Sequence, residues 1–215
     1  PLVPHLSHRE EIYLFPWYPE GTKPDYVILD REMRTYPVKR PTYRTLFYDF
    51  LAGTDYEIHD QTGSLFVFQH AGRVGPTTER GDRFGDSLTL DGFSTALARP
   101  GERYGPLPSH LPAGSTLRVS LFWRVDEPVD RNYTVFVHAL DGHGAMLAQH
   151  DSWPADAHRP TSVLPAGTAF RDVHYLTLPR AASNGLTLRV GLYNGEGNTL
   201  LTHEDHSFVT LSVPE

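Results

Sequence analysis

The segment TLRVSLFWRV (residues 116–125) alternates apolar and polar side chains along its length, with Phe122 the one apolar residue at a polar position. In an extended chain successive side chains point to opposite faces, so Leu117, Val119, Leu121, Trp123 and Val125 share one side, with Arg118, Ser120, Phe122 and Arg124 on the other. The first set reads as core. Working outward, the same period recurs in SLTLDGFSTAL (87–97), NYTVFVHAL (132–140), HYLTL (174–178), LTLRVGLYN (186–194) and SFVTLSV (207–213). The turn words DEPVD, DGHG, LPAG, ASNG and GEGN separate these segments. Short strands at regular spacing, with no helical period between them, predict an antiparallel β-sandwich over residues 81–215, jelly-roll-like or immunoglobulin-like.

The first 72 residues read differently. IYLFP (12–16) and DYVILD (25–30) are short apolar runs bounded by Pro, Gly and Asp, as buried strands are. Ser7 and Glu10 match a helix capping box. In PTYRTLFYDFLAG (41–53), Pro41 suits a first helical turn and Gly53 a C-terminal cap, while Tyr43, Leu46, Phe47 and Phe50 follow helical spacing. YEIHDQTGSLFVFQH (56–70) resembles a β-hairpin turning at residues 61–64. The expectation is an α+β chain: a small α/β subdomain (1–72), a linker (73–80) in a stretch rich in Gly and Arg, and then the sandwich. One helix with about four strands has few ways to cover both of its faces, so this unit should pack on the second half or on chain upstream.

The chain has 215 residues, no cysteine and a formal net charge of −7. Disulfides, thiolate nucleophiles and cysteine-ligated metals are therefore excluded. Residues 1–72 carry 7 basic and 10 acidic side chains against 12 and 16 in the remainder, so neither part has the basic footprint of a nucleic-acid binder. No apolar run approaches the length needed to span a bilayer. The sequence opens at PLVPHLSH, which reads as a piece of something longer. There is no Walker A sequence and no Gly-x-Ser-x-Gly elbow, and GEGNTL lacks the third glycine of a dinucleotide fingerprint.

Four sets of residues are left to carry chemistry. Asp82, Asp86 and Asp91 in GDRFGDSLTLDG offer hard oxygen ligands, which makes structural calcium the one cofactor considered. His203 and His206 in HEDH, with Glu204 and Asp205, offer a metal ion two imidazoles and a carboxylate, in a region that reads as a loop leading into a strand. Asp151 in HDSWP and Asp30 at the end of DYVILD read as turn-fixing carboxylates. The fourth set is Phe122, Arg124, Phe136, His138, Arg189 and Tyr193, which fall on the non-core parity of three strands expected to be neighbours. Aromatic faces stack on sugars and polar groups fix hydroxyls, so this set is a candidate ligand-binding face; packing against the N-terminal unit is the structural alternative.

Two groups of words resemble known proteins. PHLSHREEIYLFP followed by DYVILD resembles the soluble tail of bacterial multi-spanning membrane proteins related to GT-C glycosyltransferases, which use lipid-phosphate sugars. LPAGSTLRVSLFWRV, NYTVFVHALDGHG, AQHDSWP, RPTSVLPAGTAFRDVHYLTLP and LRVGLYN, covering most of residues 104–194, are similar to a β-sandwich module attached to such proteins. Where relatives place tryptophan after the PTS word, this chain has Leu164. The resemblance implies an extracytoplasmic domain at a bacterial membrane, partnered by the membrane-embedded remainder of its parent and by a glycan or lipid-linked sugar, with no nucleic acid. It supplies no catalytic residue for these soluble parts. The expected function is therefore non-catalytic docking or glycan recognition, with any glycosyltransferase activity belonging to the parent. The rival is a free-standing hydrolase or epimerase built from scattered Asp, Glu and His.

Overall fold

A computed structural model describes residues 21, 23–32, 39–72, 74–98, 107–108, 110–183 and 185–213. The expected strand at 12–16 and the capping box at Ser7 and Glu10 lie outside them. The described chain begins with β1 (Tyr26–Asp30), helix α1 (Arg40–Ala52), β2 (Tyr56–Thr62) and β3 (Leu65–His70). It continues with β4 (Thr78–Phe84), β5 (Leu88–Ala98), β6 (His110–Leu111), β7 (Thr116–Val125), β8 (Tyr133–Leu140) and β9 (Met146–Ser152). After a four-residue helix, α2 (Pro154–Ala157), come β10 (Ala169–Thr177), β11 (Ala182–Ser183), β12 (Thr187–Asn194), β13 (Thr199–Leu200) and β14 (Val209–Ser212).

Two antiparallel sheets make the sandwich. One has the order β10-β7-β5-β4; in the other β9-β8-β12 is followed by β13 and β14, which both pair with β12 at different points. The chain changes sheets between β7 and β8, between β9 and β10, and between β10 and β12. This differs from the immunoglobulin order, in which the first, second, fifth and fourth strands share a sheet. The parity read from residues 116–125 holds. Leu117, Val119 and Leu121 are fully buried, Trp123 is 1% exposed, and they face Val135, Val137, Leu188, Val190 and Leu192 of the opposite sheet. Leu164, where relatives place tryptophan, is buried in the same core.

The strands that sequence reading passed over are edges. TERGDRF straddles the expected boundary at residues 80 and 81, yet it forms one strand, β4, which begins at Thr78 and closes the β10-β7-β5 side. MLAQHDS forms β9, the edge of the other sheet. An edge strand carries polar residues that a central strand does not, so its apolar alternation is weak.

The N-terminal layer is a three-stranded sheet of order β1-β3-β2, antiparallel throughout, under α1. Central β3 buries Phe66 and Phe68 against Phe47, whose ring meets each of them edge-on. The two-residue turn Gly63-Ser64 closes the hairpin, and Gly63 supplies the positive φ of 58°. Helix α1 starts with a proline in its first turn and ends where the Gly53 N–H donates to the Asp49 carbonyl. A Cβ at Gly53 would lie 2.9 Å from that oxygen, so close approach rather than φ demands glycine there.

This layer does not close its own core. Its apolar cluster takes in Ala155 of α2 and Val173 of β10, with Tyr175 packed alongside. Arg171, 2% exposed on the outer side of β10, donates to the Leu51 carbonyl at 2.9 Å and the Phe50 carbonyl at 3.3 Å. The last turn of α1 is thus capped from the sandwich, satisfying carbonyls that a helix end leaves open. Burial lowers the Arg171 guanidinium to about 10, and the nearby charge of Arg118 adds to the shift.

Candidate functional site

The two sandwich sheets share the six parity residues between them. Phe122 and Arg124 lie on β7, whereas Phe136, His138, Arg189 and Tyr193 lie on β8 and β12 of the opposite sheet. They therefore point away from the core in opposite directions and do not form one face. Parity fixes which side of a strand a residue occupies but not which sheet the strand joins. Phe122 is 6% exposed, paired in register with Arg171 on one side and Gly92 on the other. Arg124 is exposed and donates to Asp91 at 3.1 Å and to Asp126.

The β8/β12 set does come together. His138, Phe136 and Tyr193 line up on the outer face, with ring centroids 4.9 Å apart for Phe136 and His138 and 6.2 Å for Phe136 and Tyr193. The interplanar angles of 37° and 31° tilt them into one shallow platform. Its flatness has a local cause. Gly191 pairs with Phe136, and a Cβ there would sit 2.5 Å from Phe136 Cζ and against the Ser207 carbonyl oxygen. Glycine lets the ring lie down on the strand. Arg189 stands to one side with its guanidinium 4.9 Å above the Phe208 ring, a cation–π contact.

Asp151 completes the platform from β9, where it pairs with Phe136 and points outward. It is a strand residue rather than the turn-fixing carboxylate expected. The Tyr193 hydroxyl donates to its Oδ2 at 3.2 Å, and His138 Nε2 lies 3.6 Å from its Oδ1. Partial burial, and then the negative charge of Asp151, raise the Tyr193 phenol above its ordinary range. All three rings of the platform are half-buried, so the surface is held in place yet open to solvent.

The calcium expectation meets a scattered set. Asp82 on β4 is held by Arg80 at 2.7 and 2.9 Å, Asp91 at the β5 bulge is held by Arg124, and exposed Asp86 lies 3.5 Å from His203. His203 also meets the Gly85 carbonyl at 2.8 Å. The HEDH loop is exposed, as expected, and with Arg80, Asp82 and Arg83 it lines an open cleft of about 740 Å³. Among the described residues no group of three or more His, Asp or Glu is placed to hold a metal ion. Asp30 fixes a turn, accepting from the Glu32 N–H at 3.0 Å.

Sequence reading missed a polar chain inside the sandwich. Asp172 and His174 carry core parity on β10 and are completely buried. His174 Nε2 donates to Asp172 Oδ2 at 2.8 Å, and its Nδ1 meets His150 Nδ1 of β9 at 2.9 Å. With the His174 proton on the carboxylate side, a neutral His174 offers a lone pair and His150 is the donor. Asp172 Oδ1 accepts in turn from the Ala155 N–H at 3.0 Å. The signal was present in HDSWP and RDVHYL, where polar residues occupy positions whose alternation demands core. The chain joins the two sheets where their edge strands β9 and β10 meet.

Beyond Ala155, His158 stacks on Tyr48 of α1 with ring centroids 3.5 Å apart and accepts from Arg44, while Arg159 pairs with Asp49 at 2.9 Å. Residues 153–160 thus fasten the N-terminal layer to the sandwich.

No protein-family model matches the chain, and no curated protein does. Among the described residues no helix is long and apolar enough to cross a membrane. Among solved structures the chain is similar to a β-glucuronidase from glycoside hydrolase family 2, with a TM-score of 0.33 and 11% sequence identity. That match covers 58% of this chain and 11% of the other.

Proposed function

We propose that this chain is the extracytoplasmic part of a bacterial membrane protein related to GT-C glycosyltransferases, and that it recognises glycans without catalysing a reaction. The working surface in this reading is the outer face of β8, β9 and β12. One observation carries it: three tilted rings and a carboxylate are fixed on an open sheet face by contacts that core packing does not require. Half-buried aromatics present an apolar surface to a sugar ring, and Asp151 and His138 present hydrogen-bonding groups beside it. The membrane origin rests on the two groups of resembling words. The N-terminal layer serves as an α/β subdomain that covers the opposite face and fixes the orientation of the module.

The rival enzyme reading has the Asp172–His174–His150 chain as its best material. Asp172 and His174 are fully enclosed, so no substrate atom can reach them without opening the sandwich. A group that touches substrate must be accessible, and the accessible acid–base pair of the open face is Asp151 with His138, whose Nε2 lies 3.6 Å from Asp151 Oδ1, outside hydrogen-bond reach. The test is a glycan array probed with the full chain and with its Phe136→Ala and Tyr193→Ala variants. Binding that fades in both variants while their melting curves stay near the parent's supports recognition. Turnover of a glycoside or ester, abolished by one carboxylate substitution, replaces it with the enzyme. For the membrane origin, the encoded sequence upstream of Pro1 should hold several apolar segments of about 20 residues.

A further inference from the structure

Gln149 and Asp151 point outward from β9, and Trp153 follows one residue past the end of that strand, as the residue that caps α2, with φ −65° and ψ 152°. Two residues along a strand is about 7 Å, roughly the width of a pyranose ring beyond the carboxylate. Trp153 is 38% exposed where Trp123 is 1% exposed. This exposure is built into the segment. On one side, His150 is tied to His174 inside the sandwich; on the other, Pro154 and Ala155 are buried and the Ala155 N–H is held by Asp172. Ala155 adopts φ 54° and Ala157 φ 67°, both unusual for a residue with a side chain. Between the anchors, Ser152 Oγ is buried with no hydrogen-bond partner among the described residues. Strain and unmet hydrogen bonds of this kind gather at functional segments.

The charge at the rim narrows the ligand. Asp151 is the only carboxylate among the outward positions of β8, β9 and β12. A carboxylate has about four acceptor sites, so the Tyr193 hydroxyl leaves room for sugar hydroxyls. An acidic sugar would bring like charge to the same spot.

The geometry points to a sugar subsite at the β9 rim, in which Trp153 stacks on the apolar face of a neutral pyranose and Asp151 accepts its hydroxyls. This deepens the glycan reading of the platform and rests on it. The test uses the whole chain with Trp17→Phe, which leaves buried Trp123 and exposed Trp153 as emitters, titrated with cellohexaose, mannohexaose and hexagalacturonate. The expected result is a change in tryptophan emission with at least one neutral hexasaccharide, absent in Trp153→Phe. By calorimetry, Trp153→Ala should weaken that binding roughly tenfold or more, the size of a stacking anchor. Asp151→Asn should also weaken it while narrowing the gap to hexagalacturonate. Binding unchanged in Trp153→Ala but lost in Phe136→Ala overturns the subsite and leaves the platform standing. Hexagalacturonate binding as tightly as the neutral sugars overturns the ligand class. A folded chain that binds none of the three overturns the subsite, and silence across the glycan array as well takes the platform with it.

Discussion

The two outer faces of the sandwich begin from the same pattern and end differently. On β7 the outward positions are Arg118, Ser120, Phe122 and Arg124; on β8 they are Thr134, Phe136 and His138. Each strand places an aromatic between polar groups. Phe122 nevertheless goes to 6% exposure, while Arg118 donates to the Ile58 carbonyl and Arg171 caps α1. Phe136 stays half-buried beneath nothing larger than its own neighbours. An outward aromatic is therefore not a binding signature by itself. What separates the faces is whether another layer of the chain is available to cover them, and only one of the two has α1 and α2 to hand.

The core that both faces share carries the largest expected effect. Trp123→Ala should cost about 3–5 kcal/mol in denaturant melting, as large-to-small changes at enclosed sites do, and a shift below about 1 kcal/mol would invert the parity on which both faces depend. On the covered face, Arg171→Met should cost about 1.5–3 kcal/mol, because two carbonyls at the end of α1 lose a charged donor. Proteolysis of that variant should cut first near residues 53–55. Because burial lowers Arg171 to about 10, its proton is held less tightly in the folded chain, and the cost of that charge is fully present at every pH below about 10. The Arg171→Met effect should accordingly be the same at pH 6 and pH 8.

On the open face, Gly191→Ala should cost about 1–3 kcal/mol through overpacking and should tilt the Phe136 ring, read as a loss of glycan binding larger than the loss of stability explains. Tyr193→Phe should change stability by less than about 1 kcal/mol, since it removes one partly solvated hydrogen bond. The Tyr193 phenol is raised in the folded chain, so its contribution is complete below its unfolded value and fades as pH climbs past the folded one. Burial raises the Tyr43 phenol too, so ultraviolet titration should show a late-ionising tyrosine fraction of which the Tyr193 part alone moves earlier in Asp151→Asn. Smallest of all, Asp82→Asn should stay within about 0.5 kcal/mol, the value of an exposed ion pair. Added calcium should leave its melting and the parent's alike unchanged.

Much of the architecture was legible because central strands carry period two and α1 carries its own period, its proline start and its glycine end. The edges were not, for β4 and β9 are polar where sheets meet water. Strand pairing was also hidden: nothing in TLRVSLFWRV or NYTVFVHAL says that the chain crosses to the other sheet between them. That single crossing divided the six candidate residues. In HDSWP, Asp151 reads as the carboxylate of a turn and not as part of the face it joins. Asp172 and His174 were hidden for the opposite reason, since polar residues at core positions look like a fault in the pattern until His150 is found opposite.

The cap on α1 also bears on the order in which the molecule is made. Arg171 lies 120 residues downstream of Leu51, the carbonyl it secures. During synthesis, at about 5–20 residues per second, the helix leaves the ribosome long before its cap exists. The three-stranded sheet can gather beneath it, but Ala155 and Val173 of its apolar cluster arrive with the same late segment. The N-terminal layer is thus made before the segment that completes it, as a passenger of the sandwich. Its exposed underside in the interval is the stretch of this chain most in need of a chaperone.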